Sequence, residues 1–331
     1  ACFWASGFRA AAWSWAARTE AAVGNDLILV AQIAVKSSIA VLLAALGEAL
    51  SERGGVLNLG LEGMMLAGAL AGFAVGAATG DPLAAVGAAA LAGMALASLH
   101  ALFSVGCGAD QVLSGLAVGL LGIGGTSFLG RAWIGGQGLR LPSYDMPLLA
   151  DIPALGDVLF RQPPLAYAAY VLLPLVCWFL ARTRAGLAVR ASGENAQAAD
   201  AAGVPVRLTR SLCVLFGGCL AGLAGAYLSL CFTPGWKDGM SAGQGYIAIA
   251  MVVFAGWRPG RVAVGALLFG GLSALQFYFQ AAGLDAVPVW ILRVLPYVLT
   301  LLVLAASNRL ERLRRLGNAP ADLGRPFSRE G

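Results

Sequence analysis

Lysine is almost missing from this 331-residue chain: it occurs only as Lys36 and Lys237, and neither closes a glycine-rich phosphate-binding spacing. A loop of that kind needs a lysine after its glycines to reach the phosphates, so the chain has no such site for ATP. Histidine occurs once, at His100 near the end of an apolar run, which leaves no second imidazole for a metal site and no base for a nucleophile constellation. The six cysteines (Cys2, Cys107, Cys177, Cys213, Cys219, Cys231) form no CxxC pair and read as small core hydrophobes. Neither a catalytic residue nor a metal ligand is expected.

Charge is scarce as well, at 12% of residues, while 59% are hydrophobic. Ordinary soluble domains do not have this balance. Runs of about 18 or more apolar residues can each cross a hydrocarbon core of roughly 30 Å as a helix, and alternating strand patterns are absent. The expected fold is therefore all-α, a polytopic transmembrane helix bundle of about nine spans. The expected runs are 27–50, 56–78, 82–106, 111–130, 165–181, 211–231, a short one at 244–257, then 262–280 and 289–306. Residues 1–26 carry four Trp or Phe within the first thirteen positions together with Arg9 and Arg18. They suggest an interfacial helix ahead of the membrane-spanning domain, which would occupy 27–306.

Arginine placement sets the expected orientation. Residues 182–210 carry five Arg against Glu194 and Asp200, Trp257 to Arg261 is a compact basic turn, and the tail from 307 to 331 carries six Arg against three acids. By the positive-inside rule these are cytoplasmic, the C-terminus included. Because the arginines flank spans and form no basic domain, a nucleic-acid partner is not expected.

Three stretches break the apolar pattern. In the first, Gly47 to Met65, the residues Glu48, Glu52 and Arg53 end one run as a charged cytoplasmic turn. Asn58 and Glu62 sit in the next run at i and i+4, on one helical face. The glycines at 54, 55, 60 and 63 each disfavour regular helix by about 1 kcal/mol relative to Ala. Glu62 would be costly in lipid unless it faces a partner or a cavity. The second stretch, Gln244 to Arg261, has a similar design, with a glycine-flanked polar entry, a run too short for a straight span and a basic turn. On this topology the two run in opposite directions, as in transporters built from inverted repeats with discontinuous helices at mid-membrane. In the third, Ser192 caps a short helix over Glu194 to Ala202 that Gly203 stops.

These motifs carry a resemblance. Gly47-Glu48, Ser51 to Gly54, Gly55 to Asn58, Gly60 to Met64, Arg190 to Asn195, Ala198 to Gly203 and Gly245 to Ala250 occur in order. Together they resemble the ribose/nucleoside class of permease subunits of binding-protein-dependent ABC importers, most like its nucleoside branch. The resemblance implies a second, related permease subunit, an ATP-binding cassette ATPase that uses ATP and Mg, and an extracytoplasmic substrate-binding protein; this chain itself would bind no cofactor. It also implies that Arg190, Glu194, Asn195, Ala198, Ala199, Asp200 and Gly203 contact the ATPase. A substrate path or gate would involve Asn58, Glu62, Gly63, Trp236, Gln244 and Tyr246, with the two aromatics as stacking surfaces for a base. Import of a simple sugar or a branched-chain amino acid stays open, as does a stand-alone proton-coupled transporter with Glu62 or Lys36 as its titrating group.

Overall fold

The computed structural model describes residues 2–136, 138–281 and 319–328, with single positions at 291, 294, 297, 298, 302 and 305; for residues 2–25 it describes the helical backbone alone. The chain opens with α1 (Cys2–Arg53), followed by an irregular segment, 54–60, and α2 (Leu61–Thr79). Next come α3 (Pro82–Ala101), continued by a wider turn through Gly106, and α4 (Gln111–Leu129). A long connection follows. It holds a two-stranded antiparallel ribbon of β1 (Tyr144–Asp145) and β2 (Arg161–Gln162), with α5 (Leu155–Leu159) between the strands. The chain continues with α6 (Pro164–Arg182), α7 (Arg184–Glu194), α8 (Ala196–Ala201) and α9 (Val206–Tyr227), the last extended to Phe232. It then forms α10 (Gln244–Phe254) and α11 (Pro259–Ala281).

Seven of the described helices are long and apolar enough to cross a membrane, and α10 is a shorter apolar helix. They account for eight of the nine expected runs. Of the ninth, 289–306, only single positions are described, and most of the tail after Ser307 lies outside the described residues. Helix ends follow local chemistry. Asp81 accepts from the Leu83 amide at 2.9 Å with Pro82 beginning α3, and Asp110 accepts from the Leu113 amide at 2.8 Å to begin α4.

The second half of α1, α2 and α9 form the centre of the bundle, with Ile39 to Leu46, Met64, Met65, Ala221 and Ala224 to Tyr227 almost wholly buried. In lipid, apolar burial between helices gains little, so close packing must hold such a bundle together. Small residues provide it: a Cβ on Gly47 would sit 2.7 Å from the Gly217 carbonyl, and one on Gly63 2.9 Å from Gly119 Cα. Outward faces stay apolar, as at Leu83, Leu113 and Phe128.

Two boundaries differ from expectation. Helix α2 begins at Leu61 and not at 56, because the segment from Gly54 to Gly60 is held in an irregular, turning path by its neighbours. Helix α9 begins at Val206 and takes in Arg210, which is 2% exposed and so is no part of a solvated loop.

Candidate functional site

The first site grows from residues 54–60. Gly55 takes φ +92, where a side chain would be strained, and turns the chain off the end of α1. The segment then climbs beside α4. The Leu57 amide donates to Gln111 Oε1 at 2.8 Å, while Gly115 and Gly119 abut Leu59 and Gly60. Gln111 to Gly119 is about 12 Å of helix, so the chain rises well into the bundle before α2 starts. His100 assists from α3: Nε2 meets the Leu57 carbonyl at 3.2 Å and so donates, and Nδ1 accepts from Ser114 Oγ at 3.0 Å.

Asn58 belongs to this irregular segment and does not share a helical face with Glu62. Its Oδ1 accepts from the Gly60 amide at 3.0 Å and its own amide donates to Glu48 Oε1 at 3.0 Å. These bonds compete with helix formation, which is why α2 starts late.

Glu62, in the first turn of α2, reaches the start of α10. Its Oε1 accepts from Ser241 Oγ at 2.5 Å and from the Gly243 amide at 2.8 Å, and its Oε2 accepts from the Gly245 amide at 2.7 Å. The first amides of a helix lack partners within it and carry a partial positive charge, so one carboxylate serves both the hydrogen bonds and the field. The fit is tight, since a Cβ on Gly245 would lie 2.6 Å from Glu62 Cα. Gly63, next along α2, packs on α4.

A second site lies at the other end of α10, about 16 Å away for eleven residues. The indole of Trp257, just past that helix, donates to Glu52 Oε2, and Arg53 Nε donates to the Trp257 carbonyl at 2.8 Å. Trp257 takes φ +56, uncommon for a bulky residue. Glu48 and Glu52 are wholly buried in the last turns of α1. The expected charged turn is therefore helix up to Arg53, and the turn proper is Gly54-Gly55. Thus α10 runs from Glu62 back toward Glu52, opposite to α2.

The third site adjoins the second. Thr183 caps α7 through the Gly186 amide at 2.9 Å. The break to α8 comes at Asn195, whose Oδ1 accepts from the Ala198 amide at 2.9 Å. Ser192 is not the cap: it lies inside α7 and donates back to the Ala188 carbonyl at 2.6 Å. Gly203, at φ +86, turns the chain beyond α8. Glu194, Asn195, Ala198 and Gly203 are exposed, Arg190 and Asp200 half-buried, and Ala199 buried. A Cβ on Gly193 would run into the Arg53 carbonyl and lie 3.2 Å from the Gly55 amide, so this segment rests directly on the end of α1. Glu194 approaches Arg53 at 4.0 Å.

Two expected path residues stand apart. Trp236 is 4% exposed in a cluster with Leu66, Leu70 and Phe73, which leaves its ring no open face. Tyr246 is exposed on the first turn of α10 beside Gln244. Sequence reasoning missed Gln111, Ser241, Trp257 and Arg210, whose Nη2 donates to the Ser192 carbonyl at 3.0 Å. Only Arg210, an arginine at the start of an apolar run, left a signal. Among the described residues no group of three or more His, Cys, Asp or Glu could hold a metal ion.

Residues 29–304 match the family described as branched-chain amino acid transport system / permease component. The chain is 46% identical over 258 residues to a putative glucose ABC transporter permease protein of Haloferax volcanii, covering 77% of this chain and 78% of that one. It is 33% identical over 290 residues to a nucleoside ABC transporter permease protein of Lactococcus lactis subsp. cremoris, covering 84% and 91%. It is 32% identical over 296 residues to a guanosine ABC transporter permease protein of Bacillus subtilis, covering 84% and 93%. No solved structure matches.

Proposed function

The chain belongs to the family of branched-chain amino acid transport system / permease components, and from that membership we propose that it is the membrane-spanning subunit of an ATP-driven importer of nucleosides. It is an integral membrane protein and a transport subunit. A separate ATPase hydrolyses ATP, an extracytoplasmic protein delivers the solute, and a second permease subunit completes the path. The Arg53 end, with α7 and α8, faces the cytoplasm, in keeping with the arginines gathered there.

The observation that carries the mechanism is Glu62 bound to the first amides of α10. Hydrogen bonds to a charged group contribute about 1.5–3 kcal/mol each, so opening three of them would cost more than about 4 kcal/mol. The start of α2 and the start of α10 therefore move as one body, and flexing falls on residues 54–60, which form no regular helix and include glycines at 54, 55 and 60. ATP-driven closure of the ATPases pushes α8. Gly193 passes the displacement to Arg53 to Gly55, and the joined starts of α2 and α10 tilt to open the path inward.

Two relatives named for nucleosides, each matched over more than nine-tenths of its length, favour that solute. The 46% identity to a putative glucose permease favours a sugar as the second reading. The assembled importer in liposomes, given labelled adenosine, separates the readings. Competition by guanosine but not glucose supports the first, and competition by glucose the second. Uptake without any ATPase, lost when the proton gradient collapses, would overturn both in favour of a proton-coupled carrier.

A further inference from the structure

We propose that Asp322 is a positioning residue for transport, through which residues 319–328 hold α8 and join it to the irregular segment at 54–60. The inference rests on α8 being the ATPase-contacting element.

Asp322 Oδ2 accepts from the Ala196 amide at 2.7 Å, the first amide of α8, and the Asp322 amide donates to the Gly193 carbonyl at 2.9 Å. With Asn195 taking the Ala198 amide, two caps share the start of this short helix. Three residues on, the Arg325 carbonyl accepts from Arg210 Nη1 at 2.9 Å and from Gln111 Nε2 at 3.4 Å. Both donors are nearly sealed from solvent, Arg210 at 2% and Gln111 at 1%. Each has a second commitment: Arg210 to the Ser192 carbonyl, Gln111 to Leu57 and to the Gly55 carbonyl at 3.3 Å. A continuous set of hydrogen bonds thus runs from α8 through Asp322, the Arg325 carbonyl and Gln111 to Leu57, one residue before Asn58.

Placement argues for positioning and against a competing cover. Phe327 packs with Ala196, Ala199 and Val206, so the segment lies on the bundle side of α8, while Gln197 and Ala198 on its other side stay exposed. A partner can therefore press on α8 with residues 319–328 in place, and the displacement then has a second route into the bundle beside Gly193.

The test compares wild type, Asp322→Ala and Asp322→Asn in the complete importer with its ATPase and binding protein, in liposomes, measuring adenosine uptake and ATP hydrolysis in the same vesicles. Asp322→Ala is expected to retain the ATPase and its hydrolysis but to lower uptake per ATP about fivefold, the shift that loss of a helix cap gives. Asp322→Asn, whose amide oxygen can still accept from Ala196, is expected to stay within about twofold of wild type. An unchanged ratio, including one in which uptake and hydrolysis fall together because less complex forms, overturns the proposal. If Asp322→Ala does not insert, Phe327→Ala loosens the same segment from its other side, and an unchanged ratio there overturns it too. Failure of the wild-type protein to bind an ATPase would instead overturn the importer reading.

Discussion

The two ends of α10 are held by carboxylates ten residues apart in sequence, yet in different ways. At its start, Glu62 takes all three of its bonds from within a five-residue stretch, two of them from backbone amides, and is 5% exposed. At its far end the load is shared. Glu52 takes the Trp257 indole, Arg53 takes the Trp257 carbonyl, and Arg53 also faces a Glu194 side chain that is 53% exposed. Several donors that converge on one buried carboxylate are all stranded when it is removed, whereas a set spread over buried Glu52, Arg53 and the exposed Glu194 can lose a member and keep the rest. The first end is suited to a fixed joint, the second to a surface that receives and passes on a push.

Removing the fixed joint should have the largest effect. Glu62→Leu strands the Gly243 and Gly245 amides at about 1–3 kcal/mol each, and uptake per unit of membrane-inserted protein is expected to fall by about tenfold or more. Undiminished uptake would end the view of Glu62 as a joint. Trp257→Phe keeps an aromatic ring and the carbonyl bond from Arg53 but removes the donor to Glu52. It should lower the thermal stability of the purified protein by about 1–2 kcal/mol, with a smaller loss of uptake; an effect exceeding that of Glu62→Leu would reverse the comparison. The smallest structural effect belongs to Glu194→Ala, since an exposed pair at 4.0 Å contributes about 0–1 kcal/mol. The melting temperature should not move, so any loss of ATPase co-purification in that variant reports docking and not folding.

Much of the fold was legible in the sequence. Long runs of Leu, Ala and Val with little charge leave a helix as the only way to satisfy the backbone in lipid. Clustered glycines beside Glu62 and Gln244 marked where regular helix would fail. The site was legible only in outline: Glu62 was visible as a charge that lipid would not tolerate, and Asn195 and Gly203 as breaks. What these residues touch was not. The partners of Glu62 lie about 180 residues away in sequence, and Ser241, Gly243 and Gly245 look like any small-residue loop.

The sequence by itself therefore determined that this chain is a bundle of membrane helices with interrupted segments and an arginine-rich end, because composition and spacing act over one turn or one span. Only the tertiary structure decided that Glu62 closes on α10, that Asn58 supports the irregular segment away from α2's helical face, that Arg210 is buried, and that Asp322 sits on α8. Those outcomes depend on which helices pack side by side. In lipid that choice is made by close backbone approach at glycines such as Gly63 and Gly119 and by which buried donors then find acceptors, and no local pattern of residues encodes either.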